Sequence, residues 1–297
     1  MKIILSRKGF DSQFGKIKSP ILPDGTLLSL PIPQKNDKIT YAQLNYKKGK
    51  SYLDIIKDLN PKWKYEDNQP AHLDPDLREN IIKRQFSWKA IFGQSGAAQG
   101  HLKNQKINVG DIFLFFGSFA QTIENDGKLS FIKDVKYPHG AHIFFGYLQI
   151  GQIIELDEPE DYEKKLDNFT KFHPHADKEY RDEQGRKRKN NCMYVAAETL
   201  SLNSNFPGAG TLNLNDRRIL TKPINSQILS EKENTISMWR VPDFFKNLDI
   251  SYNKDSFKDN GYFKSAPRGQ EFVINTKEDK KLQEKLEEWV KDIIIND

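Results

Sequence analysis

The chain has 297 residues, 37% of them hydrophobic and 29% charged, with 19 Phe, 11 Tyr and 4 Trp supplying the bulky apolar surface that disordered chains lack. No stretch approaches the roughly 18–20 uninterrupted apolar residues of a membrane helix, and one cysteine, Cys192, excludes both a disulfide framework and a thiolate-built zinc site. The 46 basic against 41 acidic side chains leave a formal charge of +5, an excess that permits binding to polyanions without demanding it.

In chain order, Ile3 to Ser6 reads as a short strand interrupted by Arg7-Lys8-Gly9-Phe10-Asp11. Pro23-Asp24-Gly25 marks a tight turn before an edge strand Leu27 to Pro31. Leu53, Ile56 and Leu59 have helical spacing, and Asn60-Pro61 ends that helix. Gln69 to His101 is expected to form ordered loops with little regular structure. Val109-Gly110-Asp111 introduces an aromatic strand, and Ile143 to Leu156 forms a second. The basic stretch 178–190 is expected as an exposed loop, Met193 to Leu200 and Gln270 to Asn275 as further strands, and Pro242 to Phe245 as one helical turn. From Lys277 onward, Leu282, Leu286, Trp289, Val290 and Ile293 share one face of an amphipathic helix. Together these elements predict one α+β domain with a mixed or mainly antiparallel sheet, long loops and a C-terminal helix. Between about 105 and 160 the sheet can curl into a PUA-like barrel. A soluble, cytoplasmic protein is expected.

The chemistry concentrates in a few places. Phe92-Gly93-Gln94-Ser95-Gly96-Ala97-Ala98-Gln99-Gly100-His101 combines small residues with amide and imidazole groups, yet lacks the Gly-Lys-Ser/Thr ending of a phosphate loop. A glutamine offers a carbonyl and an amide together, the pairing that reads a base edge, which makes Gln94 and Gln99 candidate base-binding residues. The competing reading is a loop satisfied by its own side chains. Phe92, Trp88, Phe145 and Tyr147 are either stacking partners or core. Asp74 and Asp76 flank Pro75 and can share a cation or a proton, or accept backbone hydrogen bonds in a turn.

His101, Asp11 and Asp74 are the candidate proton-transfer groups. Lys8, Gln94, Gln99, Tyr194, Gln270 and Glu271 are candidate substrate contacts, and Arg186, Lys187, Arg188 and Lys189 candidate phosphate contacts. His139-x-x-His142 and His173-Pro174-His175 lack the helical spacing of a zinc motif, so no metal set is assigned, and the cofactor stays unknown.

The string Leu5-Ser6-Arg7-Lys8-Gly9-Phe10-Asp11-Ser12 with Asp24 to Pro33, His72-Leu73-Asp74-Pro75-Asp76-Leu77, Phe92 to Leu102, Gly110 to Gly117, Gly146 to Gly151 and Gly269 to Val273 resembles the nucleotide modification associated domain 3 family over nearly the whole chain. That resemblance implies a setting in bacterial or phage systems that modify, read or remove altered bases, without fixing a reaction. Val109-Gly110-Asp111 and the later Phe145 to Gly151 strand are also similar to modified-base readers of the PUA and EVE type. The leading expectation is an enzyme acting on a nucleobase or nucleotide. The alternatives are a non-catalytic reader of a modified base in DNA or RNA, and an interaction protein of a modification or defence cluster. Nucleobase, nucleotide or DNA are the expected ligands, with other proteins of such a cluster as further partners.

Overall fold

The run Ile112-Phe113-Leu114-Phe115-Phe116 offers no polar face, so a strand of that sequence must be covered on both sides. In the computed structural model of the protein it lies, fully buried, inside a ten-stranded sheet. The structure describes the chain except at residues 12, 48, 65, 85–86, 134–136, 138, 182–184, 215–226, 233, 252–255, 259–260, 266–270 and 296–297.

The strands are β1 (Ile3–Arg7), β2 (Ser19–Ile21), β3 (Ile91–Gln94), β4 (Ile112–Asn125), β5 (Lys128–Phe131), β6 (Ala141–Glu155), β7 (Cys192–Ala196), β8 (Ala209–Thr211), β9 (Asp249–Ile250) and β10 (Phe272–Asn275). They follow the order β9-β10-β1-β4-β6-β7-β3, with β2 and β5 added to β4 and β8 to β6. β1 and β2 run parallel to β4, and every other pair is antiparallel. The fold is therefore α+β with a mixed, mainly antiparallel sheet. The two ends of the path do not pair, and no closed barrel forms among the described residues.

Alternation along the strands divides the interior in two. Ile3, Leu5, Leu114 and Phe116 face one side, where Trp239 and the C-terminal helix cover them. Ile4, Phe113 and Phe115 face the other, against Phe92, Leu148 and Tyr194. Each such side chain contributes roughly 1.5–3 kcal/mol on burial. On this second side the curl of the sheet brings β3 over the end of β1, so that Lys8 Nζ sits 4.4 Å from the Phe92 ring centroid.

The helices are α1 (Tyr52–Leu59), α2 (Gly96–Asn104), α3 (Asp161–Lys164) and α4 (Lys280–Ile294). Ser51 and Asp54 form a capping box at the start of α1, and Asp279 caps α4. α4 buries Leu286, Trp289, Val290 and Ile293, while Leu282 is only half-buried. No described helix is long and apolar enough to cross a membrane.

Four local expectations change. β3 and α2 occupy part of the stretch expected as loops: four backbone pairings with β7 hold β3, and α2 buries Gln99, His101 and Leu102. The expected edge strand Leu27 to Pro31 reduces to one bridge between Ile21 and Leu27, because Leu30 N–H is taken by Ser19 Oγ. Met193 to Leu200 divides into β7 and a separate pair, Thr199–Leu200 with Asn203–Pro207. The turn after Pro242 is a 3-10 helix, Asp243–Asn247.

Candidate functional site

β1 leaves the sheet at Arg7, and Gly9 turns the chain at φ +83°, where a β-carbon would meet Ser29 Oγ at 2.7 Å. Because β10 runs antiparallel to β1, the residue entering it, Glu271, lies beside this exit. Its Oε1 accepts from Ser6 Oγ at 3.2 Å and from Gln94 Nε2, at the end of β3, at 2.6 Å, and lies 3.4 Å from Lys8 Nζ. Glu271 is buried, and these donors supply what its charge loses by leaving water.

The opposite wall comes from three segments distant in sequence. Gly93 N–H donates to Asp74 Oδ1 at 2.8 Å. The Pro174–Ala176 turn sets the His175 ring directly on Gly93, whose added β-carbon would lie 2.3 Å from the ring. His72, beside Asp74, bonds Asp37 Oδ2 through Nδ1 at 2.6 Å. Asp74 is thus ringed by His72 Nε2 at 3.8 Å, His175 Nε2 at 4.0 Å and His173 Nε2 at 3.3 Å. The His173 contact is too oblique for a full hydrogen bond. Burial alone would raise the Asp74 pKa, but the His173 contact and the charge its imidazole neighbours carry when protonated outweigh it, holding the carboxyl well below the usual range. Burial and the nearby Arg188 guanidinium push His175 well down, so its ring is neutral near pH 7.

The third wall is basic. Arg181 and Lys187 form a bridge, Lys189 C=O accepts from Gly96 N–H at 2.8 Å, and the Arg188 guanidinium lies 3.6 Å from the Tyr180 ring centroid while donating to Pro174 C=O. Arg188 therefore clamps the segment that carries His175, whereas Arg186, Lys187 and Lys189 are exposed at the rim.

These walls enclose a cleft of about 740 Å³, large enough for a nucleotide. Its lining includes Lys8, Asp11, Asp74, Gln94 and all four of Arg186, Lys187, Arg188 and Lys189. A second cavity, of about 840 Å³, lies beside β2 and β4 around Lys18, Phe119 and Ile132. Among the described residues that line it there is no histidine.

The other sequence candidates fall elsewhere. Gln99 and His101 are buried on α2 and do not line the cleft: Gln99 Oε1 accepts from Tyr194 Oη at 2.9 Å, and His101 Nε2 bonds Ser251 Oγ at 3.0 Å. Tyr194 is core. Glu271 braces Lys8 and Gln94 from behind, and Gln270 lies outside the described residues. Asp11 reaches the cleft, yet its Oδ1 accepts from Gln13 and Phe14 N–H, both at 2.8 Å, and Oδ2 lies 3.8 Å from Arg7. Asp76 does not share a cation with Asp74, because the Arg84 guanidinium grips it through two 2.7 Å bonds. Phe92, Phe145 and Tyr147 are buried in the core, unavailable for stacking. Burial pushes the Cys192 thiol up to about 12, so no thiolate forms near neutral pH.

Sequence reasoning missed three contributors. His72 and His175 carried no pairing signal because they meet only through the fold. Phe14, 45% exposed on the cleft, is the flat apolar surface that the buried aromatics fail to provide.

A family model described as nucleotide modification associated domain 3 matches residues 2–275. No curated protein and no solved structure matches the chain.

Proposed function

From a chain that belongs to the nucleotide modification associated domain 3 family, we propose an enzyme that binds a nucleotide, free or within a strand, in this cleft and alters its base or sugar. The observation that carries the reading is the division of labour across one cavity. Lys8, Arg186, Lys187 and Lys189 offer cations for phosphate, Phe14 offers a stacking surface, and Gln94 offers an amide. The Asp74 carboxylate with its histidines stands on the remaining wall, where a reacting group can exchange a proton. The Gln94 amide nitrogen donates to Glu271 and its carbonyl accepts from Ser95 N–H, which leaves the second amide N–H and the second carbonyl lone pair for a ligand.

Titration calorimetry with nucleosides, nucleotides and short oligonucleotides tests the binding. Nucleotides should bind at least about tenfold tighter than the corresponding nucleosides, since hydrogen bonds to charged groups contribute about 1.5–3 kcal/mol. Lys187→Ala with Lys189→Ala should remove most of that preference, and Phe14→Ala should weaken base-containing ligands while sparing inorganic phosphate. Failure of every nucleotide and oligonucleotide to bind refutes the proposal. For turnover, mass spectrometry of the incubated ligands should show a product that Asp74→Asn does not form. Binding with all ligands left unchanged selects the reader instead.

A further inference from the structure

We propose that His72 Nε2, Asp74 Oδ2 and His175 Nε2 form a site for one divalent transition-metal ion, of the zinc or iron(II) class, on the cleft wall. The three atoms lie within 4.8 Å of one another. The spacing of these atoms and the hydrogen-bond partners of the two rings support the site independently of the nucleotide reading.

Asn191 fixes the tautomer of His175. Its Nδ2 donates to His175 C=O at 2.8 Å and to Tyr162 Oη at 2.9 Å, so its Oδ1, an acceptor only, takes the His175 Nδ1–H at 2.7 Å. The other ring nitrogen, His175 Nε2, faces the carboxylate at 4.0 Å. His72 repeats the pattern, its Nδ1–H given to Asp37 Oδ2 and its Nε2 turned to Asp74. His173 is the reverse case: its Nδ1 accepts from His175 N–H at 3.2 Å, which places the ring proton on Nε2, facing Asp74 Oδ1. Gly93 N–H occupies that same oxygen.

The outcome is an Asp74 whose Oδ1 accepts from Gly93 N–H and faces His173 Nε2 at 3.3 Å, while its Oδ2 faces His72 Nε2 and His175 Nε2 at 3.8 and 4.0 Å, beyond hydrogen-bond distance. With Nδ1 of each ring turned to an outer partner, both Nε2 atoms and one carboxylate oxygen converge on one point, the donor set and geometry that a metal ion would join. Bonds of about 2.0–2.2 Å to a tetrahedral ion need donors roughly 3.3 Å apart, a contraction of about 0.5–0.7 Å for the two Nε2–Oδ2 distances and of at most about 1.5 Å between the two nitrogens. Two imidazoles and one carboxylate favour zinc, iron(II) or cobalt(II) over magnesium or calcium, which prefer all-oxygen shells. Asp37 and Asn191 serve as the outer partners that orient the ligating rings. With three protein ligands on a cleft wall, the remaining positions open to solvent or substrate, the arrangement of catalytic rather than structural sites.

The test uses full-length protein stripped with a chelator, then titrated with cobalt(II) alone, followed by visible d–d absorption and calorimetry, with zinc as competitor. One equivalent should bind and be displaced by zinc. His72→Ala and Asp74→Asn should each lower affinity at least about 100-fold, and Asp37→Asn about 10–100-fold. His72 is only half-buried, so that variant keeps the test alive should His175→Ala fail to fold, circular dichroism reporting the folded state. Absence of stoichiometric cobalt or zinc binding by the folded wild type overturns the proposal. Binding undiminished in either His72→Ala or Asp74→Asn overturns it equally.

Discussion

Gly93→Ala is expected to abolish ligand binding in the cleft and to destabilise the protein by about 1–2 kcal/mol. Two effects oppose each other. Alanine in a strand interior is favoured over glycine by roughly 0.5–1 kcal/mol through backbone entropy. Against it, the new methyl would stand 2.3 Å from His175 Cγ and Cδ2, inside contact distance, and overpacking of this kind costs typically about 1–3 kcal/mol. The ring has little room to retreat, because Asn191 holds its far nitrogen and Arg188 clamps the preceding Pro174 carbonyl. It must instead tip away from Asp74, dissolving the arrangement of ring nitrogens around the carboxylate. Gly100→Ala is the control. Its methyl would approach only the Asn190 side-chain nitrogen, at 3.3 Å, within a helix where alanine is preferred by about 1 kcal/mol. That variant should retain binding and lose no stability in urea denaturation. Equal damage in both would show that the stretch tolerates no added volume anywhere, and would remove the special claim for His175.

The contrast between these glycines shows why part of the fold was legible in the chain and part was not. α1 and α4 announce themselves through apolar spacing that a helix alone can use, and β4 through an aromatic run with no polar alternative. β3 and α2 lack such signals. Gly93, Gly96 and Gly100 lower the propensity for either state, and Ile91 to Gln94 becomes a strand because β7, from far along the chain, supplies its hydrogen bonds. The same non-local cause divides the candidate residues. Lys8, Asp74 and Gln94 sit at strand ends or beside them, and the sheet's curl gathers them. Gln99 and His101 looked equally suitable as chemical groups, but the unforeseen helix buries both, against Tyr194 and Ser251. His72 as a neighbour of His175 was illegible for a plainer reason: the interval between them carries no periodic information, whereas the short intervals His139-x-x-His142 and His173-Pro174-His175 drew attention without pointing to it. His139 is exposed, and His142 is a core residue.

That core histidine should give the protein a marked acid sensitivity. Trp239 Nε1–H donates to His142 Nδ1 at 3.0 Å, and His142 Nε2 is buried without a hydrogen-bond partner among the described residues. Burial, with a smaller repulsion from Arg7, pushes the His142 pKa down to about 3. The unfolded chain titrates the same group near 6.5. Below about pH 6.5 the unfolded state therefore takes up a proton that the folded state refuses, and stability falls as pH drops towards 3. One proton corresponds to about 1.4 kcal/mol per pH unit, so acidification from pH 6.5 to 4.5 should remove about 2–3 kcal/mol through this residue. His142→Gln retains an acceptor for Trp239 and cannot titrate. It should be less stable than wild type at pH 7, since Gln fills the site poorly between Phe116 and Trp239, yet show a flatter decline with acid. Guanidinium denaturation at several pH values separates the two effects. His175, also depressed, is unchanged in both proteins and cancels in the difference, as do the carboxylates. Parallel stability curves for wild type and variant would mean that His142 admits a proton without unfolding, which the packing of Trp239 against it opposes.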